Sequence, residues 1–326
     1  MAAGNTVLVI GGAGYVGQFV VQELLKGPHC VHVAHRRGRD VSRLPEAVIC
    51  HPLDCADSSN CGEVLRAVKP HVVVNCAAIS ALGACEKDPA AAEAANCPRD
   101  LVRAIGSEAK GALFVHFSTD IVFGGSAEHV YSDDAELGPV NTYGRLKADF
   151  EAFLAETTEP RCVALRASNI LGPVQPYMNT GTKFLQWLDN QLRDDSSARL
   201  FEDEIRNYVW VEDIAAVIAK LAGDFPDRLP KYRTFNCGGL NCASGPAALS
   251  RVDVAHALVD AKRYSPSFTD SGGVERQRVV PIPRADIDLG YAAPLCVRLD
   301  SRRLEAYLER PLRSVKECLA ENAARL

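Results

Sequence analysis

The chain has 326 residues, of which 47% are hydrophobic and 24% are charged, a composition typical of globular proteins. Its formal net charge of -5 at pH 7 argues against a dedicated nucleic-acid-binding protein, because such proteins carry an excess of basic residues. No apolar run approaches the roughly 20 residues of a membrane helix, and the opening "MAAGNTVLVIGG" enters a strand too early to leave room for a cleavable signal. We therefore expect a cytoplasmic protein with neither nucleic-acid nor membrane partners.

The predicted elements of the first half alternate between short β-branched runs and helical patterns. Strands are predicted over 6–10, 30–34, 47–54, 71–78, 112–119 and 162–168, and helices over 15–26, 57–69, 89–110 and the stretch from 141 to 153. Strands that read as continuous apolar runs and are separated by helices specify a parallel sheet covered on both faces. The predicted fold class is therefore α/β, with a doubly wound parallel sheet.

The pattern loosens beyond residue 168, where prolines punctuate shorter segments. We predict a first domain over 1–168, completed by parts of 205–238, and a smaller second domain over most of 169–326. Within the second domain, 238–250 and 281–294 read as long loops or insertions.

A glycine motif lies between the first strand and the first helix, in "VLVIGGAGYVGQF". Gly11, Gly14 and Gly17 have the spacing GxxGxxG, which allows a tight turn and close backbone approach, while the helix N-terminus presents N–H groups to a pyrophosphate. With Tyr15 and Val16, which open the helix, they are the predicted dinucleotide-binding residues of a Rossmann fold. The alternative is a glycine turn that serves only packing.

The end of the second strand reads "VAHRRGRD", with Arg36 and Arg37 where an acidic residue would bind the ribose hydroxyls of NAD. Guanidinium groups there would pair with a 2′-phosphate, which favours NADP, unless both arginines are only solvated surface. Asp54, which closes the third strand, is placed to accept a hydrogen bond from the adenine amino group or to cap a loop.

Tyr143 and Lys147 lie four residues apart in "NTYGRLKADFEAF". They share one face of the predicted helix, so the ammonium can lower the pKa of the phenol and make it a proton donor near neutral pH. The other interpretation is a solvated helix with a chance Tyr and Lys. Ser118 and Thr119 end the fifth strand, at the carboxyl edge where open α/β sheets bind ligands.

The chain has twelve cysteines, but they are scattered and form no CxxC pair, which disfavours zinc and thioredoxin-like sites. Cys237 and Cys242 are five apart and lack histidine at a suitable spacing, so we predict no metal site. A reducing compartment is the simpler account of the cysteines.

Several stretches resemble the extended short-chain dehydrogenase/reductases, and together they run through most of the chain. They are the glycine motif, "NCAA" (75–78), "STD" (118–120), "YGRLK" (143–147) and "RNYVWVEDIA" (206–215). Within that superfamily, "STDIVFGG", "PVNTYGRLKADFE" and "VRLDSRRL" are most similar to the dTDP-4-dehydrorhamnose reductase branch. That branch includes the regulatory beta subunit of methionine adenosyltransferase, which shares the paired arginines.

The resemblance implies an NADP(H)-dependent reduction. Tyr143 would donate a proton to the substrate carbonyl, Thr119 would hydrogen-bond the same oxygen, and Lys147 would lower the pKa of Tyr143 and hold the nicotinamide ribose. Ala77 and Ala78 join the implied cofactor-binding residues, so that the first domain is the NADP-binding Rossmann domain and the second binds substrate.

The implied substrate-binding residues are Ser118, Asp120, Asn169 and Arg206. Arg206 would grip a nucleotide-sugar diphosphate, although an arginine there could equally form a salt bridge between domains. Asn96 matches an asparagine that supports the proton-relay region, or else serves as a local cap.

Two features depart from that branch. Ile121 replaces a tyrosine and removes a hydroxyl from the sugar-side pocket, and 276–295 is longer, so a different lid over the substrate is expected. Our first hypothesis is an NADP-dependent reductase of a nucleotide-activated sugar, and the second is an NADP-binding regulatory or scaffold subunit without turnover. A nucleotide-sugar epimerase or dehydratase ranks third, because dehydratases have Glu where Ile121 stands. Homodimerisation is expected through the helices near residues 89 and 142.

Overall fold

The computed structural model describes residues 4–193, 196–239, 248–262 and 278–326. Its strands are β1 Thr6–Ile10, β2 Cys30–His35, β3 Ile49–Pro52, β4 Val72–Asn75, β5 Leu113–Thr119, β6 Val130–Tyr131, β7 Arg161–Ala167, β8 Asn169–Leu171, β9 Ala198–Phe201, β10 Ile205–Arg206, β11 Tyr208–Trp210, β12 Thr234–Cys237, β13 Val279–Ile282 and β14 Cys296–Leu299. Seven of these strands form one parallel sheet in the order β12-β7-β5-β4-β1-β2-β3.

The sheet is buried on both faces, as its sequence pattern predicts. In β1, Val7 and Val9 belong to one apolar core, whereas Leu8 and Ile10 belong to a second core on the opposite face. Successive side chains of a strand point to opposite faces, so a strand with helices on both sides must be apolar at every position. The predicted α/β class with a doubly wound parallel sheet is confirmed.

The helices are α1 Tyr15–Leu24, α2 Ser58–Val68, α3 Leu82–Lys87, α4 Pro89–Asn96, α5 Arg99–Glu108, α6 Thr142–Glu156, α7 Phe184–Arg193, α8 Val211–Asp224, α9 Arg251–Lys262, α10 Arg302–Leu308 and α11 Val315–Asn322. The prediction of one helix over 89–110 is wrong, because α4 ends at Asn96 and α5 begins at Arg99. Pro98 follows Cys97, and the residue before a proline is disfavoured in helical conformation.

The later part of the chain contributes to the main sheet. Strand β12 pairs in parallel with β7, with Thr234 opposite Ala164 and Cys237 opposite Ala167. This strand lies within 205–238, the part of the chain expected to complete the first domain. A further apolar core unites α7, β9, β11, α9, β13 and α11. The division into two domains with a boundary at 168 stays a prediction.

The two stretches that were predicted to be long loops are described to different extents by the structure. In 238–250, residues 240–247, and with them Cys242, lie outside the described residues. In 281–294, only the first two residues belong to β13, which pairs in parallel with β9; a single 3-10 turn over Arg284–Asp286 follows, and 287–294 has neither helix nor strand. Within the described ranges, the cysteines are free thiols, no three metal-ligating side chains form a metal site, and no helix has the length and apolar character to cross a membrane.

Candidate active site

The glycine motif forms a tight turn between β1 and α1. Gly11 has φ of +72°, a left-handed conformation that favours glycine, and its carbonyl accepts a hydrogen bond of 2.8 Å from the Gly14 N–H. A Cβ atom on Gly17 would lie 2.3 Å from the Gly11 oxygen, so a larger residue would force the turn or the helix to shift. Helix α1 has no side-chain cap, which leaves its first N–H groups available to an anion. The turn therefore fits a dinucleotide pyrophosphate.

Tyr15 and Val16 open α1 beside this turn, but their side chains pack inward. The Tyr15 hydroxyl donates a hydrogen bond of 3.1 Å to the carbonyl of Pro173, and both side chains pack against the core that contains Val7 and Val9. A contact of these two residues with a pyrophosphate would therefore have to come from their backbone N–H groups.

Arg36 and Arg37 follow β2 and are exposed, so their guanidinium groups are free to meet a ligand. A third arginine, which we did not single out from the sequence, touches the glycine turn: Arg39 donates a hydrogen bond of 3.2 Å to the carbonyl of Ala13. The only sequence signal for it was its place in "RRGRD". Asp54 is exposed, and one of its carboxylate oxygens accepts a hydrogen bond of 3.0 Å from the Ala56 N–H, so the loop-capping interpretation holds for that oxygen.

The loop after β4 completes the predicted cofactor edge. Ala77 lies against the glycine turn, since a Cβ on Gly11 would lie 3.0 Å from the Ala77 nitrogen. That nitrogen donates a hydrogen bond of 3.0 Å to the Asn75 side chain, and Ala78 beside it is exposed. These residues thus meet at the carboxyl edge of the sheet, where such folds bind nucleotides.

Helix α6 carries Tyr143 and Lys147. Its N-cap Asn141 accepts a hydrogen bond of 2.8 Å from the Gly144 N–H, and a Cβ on Gly144 would lie 2.5 Å from the Ile121 carbonyl. The glycine lets the start of α6 lie against the end of β5. As a result, the Tyr143 phenol comes close enough to Thr119 for the hydroxyl to act on its pKa.

Lys147 lies close to Tyr143 on the same helix, and both side chains are almost completely buried. The Lys147 nitrogen is 5.9 Å from the centre of the Tyr143 ring and donates a hydrogen bond of 2.8 Å to the Phe117 carbonyl. The structure therefore brings together all three residues of the predicted catalytic set.

Burial governs the titration of this set in the absence of cofactor. It raises the pKa of Tyr143 above its usual range, and the Asp120 carboxylate adds to the rise, while the Thr119 hydroxyl opposes it. Burial also lowers the pKa of Lys147 to about 8, against the opposing influence of Cys97 and Glu151. The spacing of Tyr143 and Lys147 in the sequence does not reveal this burial. Burial raises the pKa of the Tyr143 phenol and so opposes the lowering by Lys147 that the spacing led us to expect.

A second helix fixes the beginning of α6. The Glu86 carboxylate at the end of α3 accepts hydrogen bonds of 2.8 Å from the Thr142 N–H and 2.7 Å from the Thr142 hydroxyl. Asn96 holds the nearby loop, because its amide accepts a hydrogen bond of 2.9 Å from the Ile79 N–H and donates one of 3.0 Å to the Ile79 carbonyl. Asn96 therefore supports the backbone beside the catalytic set and does not cap its own helix.

On the substrate side, Asp120 and Arg206 are buried together. Asp120 accepts hydrogen bonds of 3.2 Å from Thr119 and 2.9 Å from Ser168, and its carboxylate lies 3.6 Å from the Arg206 guanidinium. Burial raises the pKa of Asp120, whereas Arg206 opposes that rise.

Arg206 also binds the backbone of the segment before β14. It donates a hydrogen bond of 2.9 Å to the Leu295 carbonyl and a further one to the Pro294 carbonyl. The ion pair with Asp120 corresponds to the salt bridge that the sequence analysis gave as the alternative role of Arg206. Binding of a nucleotide-sugar diphosphate by Arg206 stays a prediction. The carbonyl of Ala292 accepts a hydrogen bond of 3.0 Å from Asn141, so this segment also contacts the start of the catalytic helix.

The remaining substrate-side residues surround the same region. The hydroxyl of Ser118 is buried and has no hydrogen-bond partner among the described residues, so it is available to a ligand. Asn169 opens β8 and is partly buried. Ile121 packs against the apolar cluster that contains Tyr143.

A dinucleotide-type glycine turn joined to a buried Thr119, Tyr143 and Lys147 set defines an extended short-chain dehydrogenase/reductase. The family model described as "RmlD substrate binding domain" matches residues 5–326, and the chain belongs to this family.

Curated relatives with different names match most of the chain. The dTDP-4-dehydrorhamnose reductase of Burkholderia thailandensis is 26% identical over 319 residues, which cover 90% of this chain and 98% of that protein. Methionine adenosyltransferase 2 subunit beta of Pongo abelii is 28% identical over 300 residues, covering 92% of this chain and 81% of that protein. Other matches are partial, and the chain spans 63% and 64% of the length of two further relatives.

A solved structure shows the same fold. The crystal structure of dTDP-4-dehydrorhamnose reductase from Bacillus anthracis, in complex with NADP, superimposes with a TM-score of 0.74 and covers 98% of each chain. Its sequence identity is 19%, so this likeness concerns the fold alone.

Proposed function

We propose that this protein is an NADP(H)-dependent reductase of a keto group on a nucleotide-activated sugar, similar to dTDP-4-dehydrorhamnose reductase. The observation that supports the proposal is the buried cluster of Thr119, Tyr143 and Lys147 at the end of β5, on the same carboxyl edge of the sheet as the glycine turn that follows β1. A carbonyl carbon at this place is within reach of both a bound dinucleotide and a buried proton donor.

The residues of the chain divide the work of the reduction. NADPH supplies the hydride when it is bound, and the N–H groups at the start of α1 would hold its pyrophosphate. Tyr143 donates its phenolic proton to the carbonyl oxygen, and Thr119 orients that oxygen with a hydrogen bond. Lys147 holds the nicotinamide ribose. Because the catalytic set is buried, water is kept from the proton that Tyr143 transfers.

We expect Arg36 and Arg37 to set the preference for NADP over NAD. The double variant Arg36→Ala, Arg37→Ala should lose roughly 10- to 100-fold in NADPH affinity and little in NADH affinity, because each exposed charge-assisted pair with a 2′-phosphate contributes about 1 kcal/mol. Calorimetric titration with both dinucleotides measures this. Arg43→Ala, which removes another exposed arginine of the same segment, is the matched control. Equal NADPH affinity in the double variant and the wild type would show that these arginines are solvated surface.

The substrate is tested by NADPH oxidation across a panel of 4-keto nucleotide sugars, with NADPH binding measured in parallel. Turnover of one sugar supports the reductase and identifies its substrate. Binding of NADPH without turnover of any sugar would overturn the proposal.

A second candidate is an NADP-binding regulatory subunit, which the similarity to methionine adenosyltransferase 2 subunit beta favours. The engagement of Arg206 by Asp120 and backbone carbonyls also suits a protein that binds no sugar diphosphate. The two candidates differ in turnover, since the regulatory subunit would bind NADPH and a protein partner without oxidising the cofactor.

We further propose a cytoplasmic homodimer, assembled through α4 and α6. Light scattering at micromolar concentration should give twice the mass of the 35.2 kDa chain. A monomer mass under these conditions would rule out the dimer.

A further inference from the structure

Three polar side chains form a buried row behind the catalytic face. Asn75 and His116 are register partners on β4 and β5, and their side chains approach with 3.3 Å between Asn75 Nδ2 and His116 Nδ1. The other ring nitrogen, His116 Nε2, lies 3.1 Å from the Lys147 nitrogen. Each of the three side chains is at most 1% exposed, so these groups can satisfy one another but not exchange with water.

The backbone fixes the direction of the hydrogen bonds in this row. The Ala77 N–H can only donate, so the Asn75 atom that it meets at 3.0 Å is the carbonyl oxygen. The Asn75 amide nitrogen then faces His116 Nδ1 and donates to it. A neutral imidazole that accepts at Nδ1 carries its hydrogen on Nε2, and that hydrogen points to the Lys147 nitrogen. Only an uncharged amine has a lone pair to accept it.

We propose that His116 is a positioning residue that holds Lys147 as the neutral amine in the cofactor-free protein, through a hydrogen bond donated from Nε2. A charged Lys147 would need the opposite tautomer of His116. The hydrogen on His116 Nδ1 would then face the hydrogens of the Asn75 amide, and no acceptor would lie between them. The row also begins at Ala77, beside the glycine turn, so it connects the cofactor edge with the catalytic lysine. This inference deepens the role of Lys147 in the proposed reductase and rests on that function.

Burial shifts both His116 and Lys147 toward their uncharged forms, and the hydrogen bond from His116 has to supply the rest of the shift that keeps Lys147 neutral at pH 7. Burial lowers the pKa of Lys147 to about 8 and the pKa of His116 well below its usual range, and Lys147 contributes to the latter shift. The other groups that act on Lys147 would favour its charged form. They are Cys85 of α3, Cys97 between α4 and α5, and Glu151 of α6. Around His116, the rings of Phe114 and Phe150 are apolar.

The decisive experiment reads the tautomer of His116 in the wild-type protein without cofactor. Two-bond ¹H–¹⁵N correlation spectra distinguish a protonated from a bare ring nitrogen for each of the eight histidines. The His116 signals are assigned by their loss in His116→Gln, or by contacts with the Phe150 ring at 4.7 Å if that variant does not fold. We expect hydrogen on Nε2 and none on Nδ1, without titration between about pH 6 and 8. Hydrogen on Nδ1, or a histidinium, would overturn the proposal.

A second experiment reverses the tautomer through Asn75. In Asn75→Asp the carboxylate can only accept, so His116 should protonate at Nδ1 and offer Nε2 as an acceptor to a charged Lys147. The pKa of Lys147, followed by the ¹³Cε signal of labelled lysine, should rise by about one unit, a tenfold change in its protonation equilibrium.

The new carboxylate also attracts Lys147 directly, and a double-mutant cycle with His116→Phe separates the two effects. We expect most of the increase in the pKa of Lys147 to vanish when the imidazole is absent. An equal increase in the presence and absence of His116 would contradict the relay. None of these measurements uses a sugar substrate. The proposed tautomer of His116 and the proposed reductase activity are therefore tested independently, and either can be contradicted while the other is supported.

Discussion

Replacement of Tyr143 by phenylalanine should lower kcat by about 10²- to 10⁴-fold, because the carbonyl oxygen loses its proton donor. The ring remains, so the apolar cluster with Cys85 and Ala92 keeps its packing. NADPH affinity should change little, since the glycine turn and the arginines after β2 are untouched. Initial rates of NADPH oxidation with the sugar that the wild type turns over measure the first effect, and calorimetric titration measures the second.

Tyr232→Phe provides a matched control for this variant. Its side chain is 47% exposed and lies outside the catalytic set, so wild-type kinetics are expected. If Tyr143→Phe retained wild-type kcat, another group would have to supply the proton, and the assignment of Tyr143 would fail.

The second large effect is expected at the glycine turn, in Gly17→Ala. The new methyl group would lie 2.3 Å from the Gly11 oxygen and 2.6 Å from the Gly12 Cα, and neither backbone atom can rotate away. The start of α1 must therefore shift, at a cost of about 1–3 kcal/mol in the free energy of unfolding. The same shift displaces the N–H groups that face the pyrophosphate, so NADPH affinity should fall by at least about tenfold.

Gly223→Ala separates this clash from the general effect of alanine in a helix. Gly223 lies in α8, and nothing is within 4 Å of the position of an added methyl group. Alanine should stabilise α8 by up to about 1 kcal/mol and leave NADPH affinity unchanged. Both free energies are obtained by urea denaturation, and both affinities by calorimetry. Wild-type stability and affinity in Gly17→Ala would contradict the close approach of the turn.

The main sheet and the location of its site could be predicted from the sequence because their signals are local. An apolar strand, a glycine turn and an amphipathic helix follow one another within "VLVIGGAGYVGQF", and each step has its own residue pattern. The carboxyl ends of parallel strands share one edge, so polar residues that end β5 must lie near that turn. Chain connectivity thus determines which residues meet.

The sequence could not show how these residues are paired across the fold. Asn75 and His116 are 41 positions apart and come together only because β4 and β5 are neighbours in a particular register. The partners of Arg206 include carbonyls 88 and 89 residues away. Burial of Lys147 likewise depends on packing from several elements. Hydrogen-bond direction and pKa depend on such long-range contacts, which leave no periodic trace in the sequence.

The position of β12 at the end of the main sheet has a consequence for any shortened form of the protein. A fragment that stops at residue 168 would lack β12, and β7 would become an edge strand with unpaired N–H and C=O groups between Ala164 and Ala167. It would also lack α8, whose residues Ile214 and Ile218 share an apolar core with Phe19 of α1. Open apolar strand edges template association between chains. The N-terminal half should therefore aggregate when expressed alone, although it contains the glycine turn and the complete catalytic set.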